Sequence, residues 1–145
     1  MRIVISSEPR LLNVLRGVVR CRAQESGFAE SDAEGLAMAI NEAAANVIRH
    51  TYGGASGYLA LEVSRFPNRL EFILEDRGPK VRAEEIRPRS LDEVRPGGLG
   101  TLFISTFMDA CEYDPDFADG NRLKMIKYFP RKGAPGDEGS SPTSG

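Results

Sequence analysis

The chain has 145 residues, 41% of them hydrophobic and 28% charged, with a formal net charge of −2, which is ordinary usage for one globular domain with a real core. Basic residues form no long runs, so charge gives no case for direct nucleic-acid binding or an anionic membrane surface. Two cysteines and one histidine are too few for a disulfide framework or a standard zinc site. No apolar run nears the roughly 20 residues of a membrane span, and no apolar leader segment opens the chain, so a cytoplasmic protein is expected.

Arg2-Ile3-Val4-Ile5 reads as a short strand. Ser7 then offers a helix cap with Pro9 in the first turn. Leu11, Leu12, Val14, Leu15, Val18 and Val19 recur at helical spacing toward Gly27. Ser31-Asp32-Ala33-Glu34 has the reciprocal capping pattern and predicts the start of a second helix. The core face of that helix is Leu36, Ile40, Ala43 and Val47, and it stops by Gly53-Gly54. Tyr58 to Arg65 alternates as a strand with Leu59, Leu61 and Val63 on one side. Pro67-Asn68 turns the chain, and Leu70, Phe72, Leu74 and Asp76 share one face of the returning strand. Residues 79–96 form a long polar loop of the kind that serves as a lid. Leu102, Phe103, Thr106, Phe107 and Ala110 suggest a third helix. Cys111-Glu112-Tyr113 and Asn121 to Phe129 read as strands joined through Asp119-Gly120. Cys21 and Cys111 read as small core hydrophobes. Residues 131–145 are rich in Gly, Pro and Ser and are expected to be disordered, which leaves residues 1–130 as the domain.

Three segments carry chemistry. Glu42 and Asn46 lie four residues apart, so they stack on one side of the second helix, and His50 continues the row. An isolated Glu-x-x-x-Asn is most often a solvated flank. Here the surroundings are Ala, Ile and Val, and a mid-helix Asn beside the core face needs a reason. A carboxylate can accept a proton and a carboxamide oxygen can ligate a hard cation such as magnesium. Asp76-Arg77-Gly78 is by itself a common turn, yet the parity of Asp76 points its carboxylate inward, where an anion is costly without a partner. It could accept a hydrogen bond from an exocyclic amine, with Gly78 letting a flat ring approach. Gly97-Gly98-Leu99-Gly100, just ahead of an apolar helix, is either a linker or a phosphate cradle. It is not a Walker A loop.

Taken together, Ile40 to His50, Glu75-Asp76-Arg77-Gly78 and Gly97-Gly98-Leu99-Gly100-Thr101 resemble the N, G1 and G2 boxes of the histidine-kinase-like (GHKL) ATPase superfamily. The chain is most similar there to the bacterial anti-sigma factor serine/threonine kinases, and the resemblance runs from about Ile3 to Phe129. It implies an α+β two-layer sandwich: a mixed, mostly antiparallel sheet with helices on one face, the Bergerat ATPase fold. ATP would lie between the helix layer and the lid. Glu42 falls on the catalytic base and Asn46 on the Mg2+ ligand. Asp76 and Gly78 fall on the adenine site, and Gly97, Gly98, Gly100 and Thr101 on the lid hinge and phosphate cradle. Lys80, which the resemblance also counts among the nucleotide-binding residues, stands where the G1 box carries its second glycine, and Thr51 where many relatives carry a glycine. The implied activity is phosphorylation of a serine or threonine on an anti-sigma-factor antagonist, alternating with sequestration of a sigma factor by a homodimer. The alternatives are a kinase-inactive partner-binding module of the same fold and the ATPase portion of a sensor histidine kinase.

Overall fold

The computed structural model describes residues 1–80 and 104–130. The chain runs β1 (Arg2–Ser6), a 3₁₀ turn (Pro9–Leu11), α1 (Leu12–Glu25), α2 (Glu30–Asn46) continued by a π-helical turn (Val47–Thr51), β2 (Tyr58–Phe66) and β3 (Arg69–Asp76). A helical segment at 104–107 follows, then β4 (Ala110–Tyr113) and β5 (Asn121–Tyr128). The strands form one sheet in the order β1-β2-β3-β5-β4. All four pairings are antiparallel. The α+β architecture matches the expectation.

Alternation decides which face of the sheet is covered. Leu59, Leu61, Val63, Leu70, Phe72, Leu74 and Met125 all point to the helix side and are at most 2% exposed. Each such side chain contributes about 1.5–3 kcal/mol by leaving water. From above, α1 supplies Leu12, Leu15 and Val19, α2 supplies Leu36 and Ile40, and the π turn supplies Val47. The central helix is α2, and its small residues are what let neighbours close in. Ala33, Ala37, Ala39 and Ala44 are fully buried, and a Cβ on Gly35 would collide with the Phe107 ring of the 104–107 segment. The opposite sheet face is polar. There Glu75 lies between Arg2 at 3.4 Å and Arg122 at 2.8 Å, and Glu71 between Arg69 at 2.6 Å and Lys124 at 3.6 Å. Cross-strand opposite charges of this kind support the pairing.

Several local expectations are corrected. Ser7 caps no helix, because its Oγ accepts the Gly57 N–H at 2.9 Å and so ties the end of β1 to the entry of β2. The second helix begins at Glu30, with Ala29 in the cap position and no side-chain cap. Glu34 does not reach back toward Ser31, since Arg20 on α1 holds it at 2.6 Å; Glu30 and Asp32 occupy the first turn instead, where acidic groups suit the helix dipole. Ala110 belongs to β4, opposite Ile126, rather than to a helix. Cys21 and Cys111 are exposed, free thiols. Residues 81–96 of the expected lid, Gly97, Gly98, Gly100, Thr101 and the tail 131–145 lie outside the described residues.

Candidate active site

The end of α2, the tip of β3 and the start of β5 meet at one place, and three contacts hold them together. The Tyr52 hydroxyl donates to the Tyr58 carbonyl at 2.7 Å and accepts the Arg77 N–H at 2.9 Å, linking the π turn to both β2 and β3. Thr51 presses its methyl on Gly78, where a Cβ would collide with it. Gly120 has φ +132, and a Cβ there would strike the Asp76 carbonyl and the Arg77 Cα, so only glycine lets β5 come this close to the β3 tip.

Asp76 sits at the centre of this junction and is 3% exposed. Its Oδ1 accepts two bonds, from Gly78 N at 2.9 Å and from Asn121 Nδ2 at 3.0 Å. Asn121, directly opposite Asp76 in the β3–β5 register, also donates to the Pro79 carbonyl at 2.8 Å. Since both of these partners are acceptors, the amide orientation is fixed. Burial pushes the Asp76 carboxyl above its ordinary range, opposed by the bonds from Asn121 and Gly78 and by the charge on Lys80. Both donors converge on Oδ1; among the described residues no hydrogen bond is found to Oδ2. A buried carboxylate with one oxygen held and the other available suits an N–H donor such as the exocyclic amine of adenine.

Lys80 is held by the β4–β5 connection. Its Nζ donates to the Phe117 carbonyl and, at 3.2 Å, to the Gly120 carbonyl, so it straps the segment after β3 onto the β4–β5 connection.

Glu42 and Asn46 do share one side of α2, as their spacing requires. Both are half-buried while Ala43, Ala44 and Ala45 between them are buried. His50 is exposed; the residue that returns to the row is Arg49. Its Nη2 donates to Asn46 Oδ1 at 2.8 Å and lies 3.9 Å from Glu42 Oε2. A cation already seated against a carboxamide oxygen and a carboxylate shows that this donor pair fits positive charge. Among the described residues no group of three or more His, Cys, Asp or Glu side chains could hold a metal. A magnesium ion here would therefore rely on Asn46, phosphate oxygens and water, the coordination that ion favours.

A cavity of about 390 Å³ lined by Phe28, Asp32, Asp109 and Phe129, among others, opens elsewhere. It involves the far end of β5 and contains none of the groups above.

Sequence reasoning missed Asn121, Arg49 and Tyr52. Asn121 had a signal, because it shares parity with the inward-facing Leu123 and Met125, and a polar side chain there needs a partner. Arg49 had one too, at i+3 from Asn46 and i+7 from Glu42. Nothing in the local sequence marks Tyr52.

An antiparallel sheet with helices on one face, and a buried carboxylate at the tip of its central strand, is the architecture of a histidine-kinase-type ATPase domain. The solved structure of "Mycobacterial sensor histidine kinase MprB" superposes with a TM-score of 0.54 at 17% identity, covering 88% of this chain and 97% of that one. The family model "Histidine kinase-like ATPase domain" matches residues 5–127, and the chain belongs to that family. Curated relatives include "Serine-protein kinase RsbW" of Bacillus pumilus (strain SAFR-032), 27% identical over 139 residues, or 88% of this chain and 85% of the relative. A second, of the same name, from Bacillus cereus (strain AH820), is 27% identical over 136 residues, with 88% and 84% covered.

Proposed function

We propose that the protein is an ATP-dependent serine/threonine kinase of the anti-sigma type, which phosphorylates an anti-sigma-factor antagonist and otherwise sequesters a sigma factor. The observation that carries this reading is Asp76, buried at the tip of β3 with Oδ1 held by Gly78 and Asn121. The names of the relatives, serine-protein kinases, favour phosphoryl transfer to a hydroxyl. In this reading Asp76 Oδ2 accepts from the adenine amino group and Gly78 leaves room for the ring. Gly97, Gly98, Gly100 and Thr101 cradle the phosphates. Asn46 would hold Mg2+, which would supply neutralisation of phosphate charge. Glu42 accepts the proton of the partner's hydroxyl as its oxygen bonds to phosphorus. Little reactive chemistry is asked of the protein beyond position and charge. The resemblance to the anti-sigma kinases further implies a homodimer in the cytoplasm. Among the described residues no helix is long and apolar enough to cross a membrane.

Calorimetry with ATP, ADP and GTP in the presence of Mg2+ tests the site. Uptake of the adenine nucleotides in preference to GTP is expected, and a folded protein that binds none refutes the reading. Incubation with labelled ATP and a candidate antagonist then tests the activity: transfer that disappears in Glu42→Ala is expected. The second reading, a partner-binding module without kinase activity, draws on the Lys80 strap at the position of the second G1 glycine. Nucleotide binding and a stable partner complex without transfer would establish it.

A further inference from the structure

The polar row on α2 ends in a cation of its own, and the kinase reading gives that cation no part. Arg49 follows Asn46 by three residues and Glu42 by seven, so all three lie along one side of the helix. One nitrogen serves both partners: Nη2 lies 2.8 Å from Asn46 Oδ1 and 3.9 Å from Glu42 Oε2. The π turn Val47–Thr51 carries this arginine, closed by the Tyr52 N–H on the Val47 carbonyl at 2.9 Å. Helical irregularities of this kind are frequent at functional sites.

Resting on the nucleotide reading above, we propose that Arg49 is a built-in counter-cation, exchanged for a divalent metal ion when a nucleoside triphosphate arrives. Without nucleotide the guanidinium fills the gap between the carboxamide and the carboxylate. The guanidinium on the Asn46 oxygen occupies the approach a metal ion would use, and two cations drawn to one oxygen repel. Metal binding is therefore in competition with the Arg49 contact. The contact is half-exposed, with side-chain exposures of 50% for Arg49 and 23% for Glu42, and ion pairs so placed are weak and readily given up. Once released, the guanidinium remains one turn from Asn46, close enough to pair with phosphate when no metal is there.

Competition of this kind has a signature that a plain phosphate contact lacks. ATP affinity of the full chain is measured by calorimetry in excess EDTA and again in saturating Mg2+, for wild type and Arg49→Ala, with circular dichroism confirming the fold. Arg49→Ala is expected to weaken metal-free binding by about five-fold while leaving the Mg2+ arm unchanged. At fixed ATP, the Mg2+ concentration for half-saturation is expected to fall by about five-fold, since the ion no longer displaces a rival. Equal weakening in both buffers makes Arg49 an ordinary phosphate ligand and overturns the proposal. No change in either buffer reduces it to a surface side chain, which also overturns it. Wild-type protein that takes up no nucleotide in either buffer overturns this proposal together with the kinase reading. Loss confined to the variant leaves that reading intact.

Discussion

Replacing Asn121 by alanine removes two hydrogen bonds inside the fold, and the structure sets the size of the effect. The bond to ionised Asp76, 3.0 Å long, is of the charged class, and that to the Pro79 carbonyl, 2.8 Å long, of the neutral class. Together they amount to about 3 kcal/mol, with part of the loss arising from the carboxylate left buried on a single donor. For a domain of this size that is roughly 10 °C in Tm. The effect also depends on pH. Burial raises the Asp76 pKa above 3.8 and Asn121 lowers it, so deleting Asn121 raises the folded-state value further. A carboxyl raised in this way contributes its full stability below the unfolded pKa and loses it as pH rises through the folded value. The deficit of Asn121→Ala is therefore largest at neutral pH and shrinks as pH falls toward 4. Asn121→Asp, which sets two carboxylates against each other, shows the same trend more steeply. Urea unfolding at pH 7.5 and 4.5 measures this, followed by far-ultraviolet circular dichroism because the chain has no tryptophan. A deficit below about 1 kcal/mol at pH 7.5, or one equal at both pH values, refutes the assignment of Asn121 as the support of an ionised Asp76.

Four further outcomes follow from the same junction. Asp76→Asn raises nucleotide-free stability at pH 7.5 by about 1 kcal/mol by removing a buried charge; the gain, read by thermal melts, fades as pH falls, while calorimetry shows ATP affinity reduced about a hundred-fold. Gly120→Ala loses about 3 kcal/mol in chemical denaturation, because its Cβ meets backbone and its φ is +132. Gly78→Ala destabilises through the Thr51 methyl by about 1–2 kcal/mol, and the double variant with Thr51→Ser recovers most of that loss in a double-mutant cycle. Tyr52→Phe costs about 1–2 kcal/mol in the same assay, since its hydroxyl serves both the Tyr58 carbonyl and the Arg77 N–H.

Local periodicity carried much of the fold. The alternation in 58–65 and 70–76 gave β2 and β3 with the correct inward faces, and with them the inward direction of Asp76. The apolar spacing of 36, 40, 43 and 47 gave the buried face of α2, hence the placement of Glu42 and Asn46 on its flank. Where patterns competed, tertiary partners chose. Glu34 fits a capping box by spacing, but Arg20 lies across the α1–α2 contact and takes it. Ala110 fits a helical repeat, but the β5 edge offers backbone partners and makes it strand. Ser7 fits an N-cap, yet Gly57 supplies a donor 50 residues away.

By itself, then, periodicity in the sequence determined the main helices and strands, the side of α2 that bears Glu42 and Asn46, and the direction of Asp76, because each depends on a repeat of 2 or 3.6 residues within a single element, while the α+β sandwich followed from the family resemblance. The tertiary structure alone decided that Asn121 holds Asp76 across 45 residues and that Lys80 straps the β4–β5 connection. Such partners are selected by chain crossings, side-chain reach and the cost of leaving a buried polar group unpaired, and none of these is written in the spacing of neighbouring residues.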